Sequence, residues 1–127
     1  MKYLLDTVTF LRFMQRGGEL PQKVMDVILS ESKLYLSAVS LWEITMKYDA
    51  RKLPLPIHPR LIAAEILPKH SIKLLLTEME DIFAVTDLPK IHTDPFDRVL
   101  VAQAKNHGMI IITPDEQIHK YEVEVLW

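Results

Sequence analysis

Apolar positions along this chain switch between two spacings, and the switch divides it into short strands and amphipathic helices. Lys2–Leu5 is a brief apolar run closed by Asp6, and it reads as a buried strand. From Thr7 to Gln15, Val8, Leu11 and Met14, with Phe10 beside them, recur at helical spacing, and Gly17-Gly18 ends that helix. Pro21 opens a second helix through about Glu31, with Val24, Val27 and Ile28 on one face. Lys33–Ser37 alternates as a second strand. Ser40 is then a suitable N-cap for a helix carrying Leu41, Trp42, Ile44 and Met46.

The pattern continues after a rigid extended connection, Leu53–Pro59, whose prolines disfavour helix at the residues before them. An amphipathic helix is expected from about Arg60 to Lys69, a third strand over Ile72–Leu76 and a short helix over Glu78–Thr86. Leu88–Asp94 reads as a loop. Asp94-Pro95 is a strong helix start, with Asp as N-cap and Pro at the first helical position, and Gly108 is the stop. Met109–Thr113 is a wholly apolar fourth strand, and Val123–Leu126 adds an edge strand. Strands alternating with helices predict an α/β fold of three layers, α/β/α, around a mostly parallel central sheet. In such sheets ligands gather beyond the carboxyl ends of the strands.

Composition narrows the chemistry. A length of 127 residues fits a single domain spanning 1–127, and 49% hydrophobic with 25% charged residues is an ordinary globular mix. The absence of cysteine excludes disulfides, thiolate zinc sites and cysteine nucleophiles. Asp6 interrupts the N-terminal apolar run too early for a signal peptide, and no apolar stretch is long enough to span a membrane. A cytoplasmic protein is expected. A net charge of −2 is not that of a tight duplex-binding module.

Acids fall where the expected sheet ends. Asp6 follows the first strand, Asp115 follows the fourth, Glu43 opens the helix after the second, and Asp97 lies in the first turn of the helix before the fourth. Each has a bland explanation alone. Asp6 could cap the helix beginning at Thr7, Asp115 could cap the turn after the fourth strand, Glu43 could be the capping-box partner of Ser40, and Asp97 could answer the helix dipole. Asp94 is better read as a cap than as a ligand. Together on one edge, the four would repel one another unless protons or a cation intervened. Mg²⁺ prefers such oxygen ligands, and a metal held there can activate water and clamp a phosphodiester.

The segments LLDTVTFL, SAVSLWEITMK, HTDPFDRVLVAQA, IIITPD and YEVEVLW, in this order from Tyr3 to Trp127, resemble the PIN domain, and more narrowly VapC-type toxins of bacterial toxin–antitoxin pairs. The resemblance implies an endoribonuclease whose catalytic and metal-holding acids are Asp6, Glu43, Asp97 and Asp115, with one or two Mg²⁺ or Mn²⁺ ions. Thr113 would support Asp115 directly or through water, and Asp94 is the lesser candidate of the DPFDR pair. It also implies a homodimer and a cognate antitoxin that blocks the site. Val8 and Arg12-Phe13 depart from the family's usual residues on the helix beside the acids, which touches substrate or partner contacts rather than the metal chemistry.

Lys47, Arg51, Lys52 and Arg98 form a candidate strip for RNA phosphates, or an ordinary solvated face, with Arg98 alternatively pairing to Asp94. The histidines show no metal-ligand spacing, and His92, near Asp94, reads as a surface loop residue, with a contact to substrate as the lesser alternative. Phe10, Phe13, Met14 and Trp42 are core, or in part a groove for an amphipathic helix of a partner. Two rivals remain. A phosphoacceptor receiver domain needs paired acids after the first strand, which Asp6-Thr7 does not provide. A PIN-like domain without activity, acting only in binding, has no reason to keep the acids.

Overall fold

The structure is a computed structural model that describes residues 1–15, 18–30 and 32–127. Gly17, expected to help stop the first helix, and Glu31, expected to end the second, lie outside the described residues. The elements are β1 (Lys2–Leu5), α1 (Thr7–Met14), α2 (Gln22–Leu29), β2 (Lys33–Ser37) and α3 (Ala38–Asp49). Next comes α4, in which α-helical Pro59–Leu61 and Leu67–Lys69 flank a π-helical stretch, Ile62–Ile66. Then follow β3 (Ile72–Leu75), α5 (Met79–Ala84), a 3₁₀ turn (Val85–Asp87), α6 (Pro95–His107), β4 (Ile110–Ile112), a second 3₁₀ turn (Ile118–Lys120) and β5 (Val125–Leu126).

The strands form one parallel sheet in the order β3-β2-β1-β4-β5. Side chains alternate across it. Leu5, Leu34, Leu36, Ile72 and Ile112 point to one face, where they pack with Phe10, Val24, Ile28, Ile44, Ile62 and Leu67 from α1 to α4. Leu4 and Ile111 point to the other, against Leu100, Val101 and Ala104 of α6, with Ala84 of α5 beside them. Helices therefore cover both faces, the three layers expected of βαβ repetition.

Capping chemistry explains most boundaries. Asp94 accepts from the amides of Phe96 and Asp97, Pro95 occupies the first helical position, and Gly108 closes α6 in the left-handed region at φ 62°. One expected boundary is corrected. The cap of α3 is Ser37, not Ser40: its Oγ accepts from the Val39 amide and donates to Gln103 Oε1 at 2.6 Å. The chain thus turns from β2 into helix without a loop. Ser40 is left inside the first turn, fully buried, its hydroxyl without a partner among the described residues.

The strand order reverses beside β1. From β1 the chain progresses outward through β2 and β3, then returns to add β4 on the opposite side. The crevice outside the carboxyl ends of β1 and β4 is the topological switch point, where open α/β sheets place their ligands.

Candidate active site

Asp6 leaves β1 at that crevice and is 3% exposed. Its Oδ1 caps α1 by accepting from the Thr9 amide at 2.8 Å, and its Oδ2 accepts from Thr113 Oγ1 at 2.6 Å. Thr113 directly follows the neighbouring strand, β4, and in turn accepts from the Asp115 amide at 3.0 Å, so one buried hydroxyl holds Asp6 and Asp115 in register. Asp115 Oδ1 accepts from the Gln117 amide at 2.8 Å. The bland explanation for Asp6 is therefore true and insufficient: it caps a helix with one oxygen and accepts from Thr113 with the other.

Glu43 is buried on α3, and Ser37 as the cap places it in the second turn, beyond the position of a capping-box partner. Its Oε1 accepts from Thr7 Oγ1 at 2.8 Å, which ties α3 to the residue after Asp6, and its Oε2 pairs with Lys47 Nζ at 2.8 Å. Asp97 sits in the first turn of α6. Burial first, then the charges of Asp94, Asp115, Asp6 and Glu43, push its carboxyl up to about 8. All four predicted acids thus share one electrostatic neighbourhood. Burial also raises the Asp6 carboxyl, against the hydrogen bonds from Thr113 and Thr9.

His92 joins this group. Its ring nitrogen and one oxygen each of Asp97 and Asp115 lie within 4.8 Å of one another, a spacing able to surround a cation. The expectation of a plain surface loop residue is corrected: the loop folds back so that Nε2 stands 3.4 Å from Asp97 Oδ2. The motif HTDPFD placed it near the site, but no sequence spacing showed that it would turn inward.

The basic residues divide. Lys47 is half exposed and already engaged with Glu43, which raises its ammonium pKa. Arg51 and Lys52 are exposed beyond the end of α3, where the chain turns at Arg51 (φ 58°) and the Lys52 amide donates back to the Lys47 carbonyl. Arg98 is corrected outright. It is buried and donates to the carbonyls of Pro89 and Val85 and to Tyr121 Oη, so it anchors the loop before α6 instead of facing solvent or pairing with Asp94.

The aromatic set also separates. Phe10 is core; Phe13 and Met14 line a groove of about 840 Å³ with Leu53, Leu55 and Ile57. Trp42, 58% exposed, lies on another surface, edge-on to Phe96 at 5.2 Å.

A three-layer parallel sheet with buried carboxylates converging at its switch point, in a chain without cysteine, is an arrangement able to surround a hard cation with oxygen ligands. The PIN domain family model matches residues 3–124, and the chain belongs to that family. Its fold is similar to that of VapBC from Salmonella typhimurium bound to DNA, with TM-score 0.69 and 17% identity over 99% of this chain and 97% of that one. It is similar to VapBC2 from Rickettsia felis bound to a promoter DNA fragment, with TM-score 0.74 and 12% identity over 100% and 99%. It is also similar to FitAcB from Neisseria gonorrhoeae, with TM-score 0.70 and 18% identity over 98% and 96%. Among curated proteins no sequence relative matches.

Proposed function

We propose that this chain is a divalent-metal-dependent endoribonuclease, the toxin of a toxin–antitoxin pair, acting as one PIN-like domain in the cytoplasm. The observation that carries the reading is the convergence of Asp6, Glu43, Asp97 and Asp115, from four distant segments, on a crevice where Lys47 is the one cation paired with them among the described residues. Membership of the PIN family and the likeness to VapBC and FitAcB assemblies support it.

The donor set fits Mg²⁺ or Mn²⁺: carboxylate oxygens dominate, and no thiolate competes for softer metals. Asp6, Asp97 and Asp115 would hold the ion, with Glu43 beside them. When bound, such an ion lowers the pKa of its water and neutralises charge on a phosphodiester. The chain's own residues do the rest. Thr113 fixes the separation of Asp6 and Asp115, Thr7 and Lys47 hold Glu43, and Asp94 holds the helix start that carries Asp97.

An antitoxin is the expected inhibitor, its apolar segment lying in the groove lined by Phe13, Met14 and Leu55. Pairing with a second copy is also expected, through the exposed Trp42, Ile82 and Phe83. No helix is long and apolar enough to cross a membrane among the described residues.

The test is cleavage of total cellular RNA by purified, partner-free protein with Mg²⁺ or Mn²⁺ and with EDTA, beside Asp6→Asn and Asp97→Asn. Discrete fragments that need the metal and both acids are expected. A well-folded wild type that cuts no RNA class would move the assignment to a PIN-like binding module without activity.

A further inference from the structure

Behind the acidic cluster runs a chain of hydrogen bonds that holding a metal does not require. Arg98 Nη1 donates to Tyr121 Oη at 3.1 Å; Tyr121 Oη lies 2.8 Å from His92 Nδ1; His92 Nε2 lies 3.4 Å from Asp97 Oδ2. Tyr121 is 4% exposed, which leaves its hydroxyl dependent on these partners. A guanidinium only donates, so Arg98 occupies a lone pair of Oη. The phenolic hydrogen then needs an acceptor, and among the described residues His92 Nδ1 is its one partner able to accept. Were Nδ1 protonated, a buried hydroxyl hydrogen would go unbonded, which is unfavourable.

The ring proton therefore resides on Nε2, the nitrogen that faces Asp97. A nitrogen carrying a proton has no lone pair to give a cation, but it can donate to a carboxylate. Asp97 has no other side-chain hydrogen bond among the described residues, so this N–H is what sets the rotation of its carboxyl group.

We infer that His92 is a positioning residue and not a metal ligand: Arg98 and Tyr121 fix its Nε2–H tautomer, and that N–H orients Asp97. The role toward the cation rests on the divalent-metal reading proposed above; the tautomer rests on the hydrogen bonds alone. Tyr121 and Arg98 thereby act on the site without touching it, through a loop that Arg98 also pins by the Pro89 and Val85 carbonyls.

The test uses full-length protein with ¹⁵N-labelled histidine. In the metal-free protein, ¹⁵N resonances should show His92 protonated on Nε2 and bare on Nδ1, and Tyr121→Phe should mix the tautomers. Mn²⁺ affinity should fall about 10–100-fold in His92→Ala, the range seen when a group supporting a ligand is lost, and only a few-fold in Tyr121→Phe. His92→Gln, whose amide can still donate, should recover most of the loss. Pulsed EPR of the Mn²⁺-loaded wild type should show no imidazole nitrogen bound to the ion. A proton on Nδ1, a His92 nitrogen on the manganese, or unchanged affinity in His92→Ala would each overturn the inference. A wild type that shows the expected tautomer but binds no Mn²⁺ would overturn the acidic metal site and, with it, the positioning role.

Discussion

Two carboxylates, Asp81 and Asp97, are set into the same helical layer and treated in opposite ways. Asp81, at the start of α5, is 1% exposed and ringed by donors: the Glu78 amide at 3.0 Å, Asn106 Nδ2 at 3.0 Å and Gln103 Nε2 at 3.5 Å; His107 Nε2 lies 3.3 Å away without a hydrogen bond. Burial alone would raise its carboxyl, yet the hydrogen bonds from Glu78, Asn106 and Gln103 hold it below the ordinary value. Asp97 is less buried but meets other acids and a single long contact from His92, and it is pushed up to about 8. One acid staples α5 to α6. The other is held where its charge is unwelcome until something positive arrives, and on the function proposed above that contrast separates a structural carboxylate from a functional one.

The comparison breaks most visibly at Asp97. Asp97→Asn should cost RNA cleavage more than the roughly 10–100-fold typical of losing a supporting group, while raising the melting temperature of the metal-free protein at pH 8 by several degrees. An active variant, or one less stable than wild type, would erase the distinction. Asp81→Ala should do the reverse. It leaves Asn106, Gln103 and the Glu78 amide without their acceptor, so denaturant unfolding should show a loss of about 1–3 kcal/mol with cleavage per folded molecule retained.

The two acids also respond oppositely to pH. Asp97 keeps its proton in the folded state up to about 8, whereas the unfolded chain releases it near the ordinary carboxylate value. Between those limits the folded state binds more protons, so its stability falls as pH rises. Asp6 contributes in the same sense. Asp81, with its lowered carboxyl, contributes stability that is lost as pH falls toward its folded value. Metal-free protein melted from pH 5 to pH 8 should therefore decline more steeply than Asp97→Asn, and Mg²⁺ should restore more at pH 8 than at pH 5. Parallel profiles for the two proteins would refute this. The smallest effect is at Lys47. Lys47→Met removes the partner of Glu43 Oε2 and should reduce cleavage about tenfold with little change in melting temperature, since the side chain is half exposed.

What could be read in advance followed the range of the interactions involved. Asp94-Pro95 and Gly108 bound α6 correctly because a cap and a left-handed stop are local chemistry. The strands and their parallel arrangement followed from apolar runs separated by helices, and the acids stood out because strand ends can be counted. Ser37 could not be told from Ser40 as the cap of α3, since its hydroxyl is claimed by Gln103, 66 residues later. Arg98 was misread because its main partners are backbone carbonyls, which no side-chain pattern announces. His92 was undervalued because its role depends on Tyr121, 29 residues away, folding behind it.

The strand order carries a consequence for how the molecule comes into being. β1 precedes the other strands in the sequence yet lies at the centre of the sheet, and its partner β4 is synthesised more than a hundred residues after it. The hydroxyl that joins Asp6 to Asp115 spans 107 positions on the Asp6 side. Closure of so long a loop is slow and belongs late in folding. A nascent or truncated chain ending before β4 carries Asp6, Glu43 and Asp97 but lacks both Thr113 and Asp115, so it cannot assemble the crevice. The topology acts as a timer that withholds the finished site until β4 and the turn after it have been synthesised.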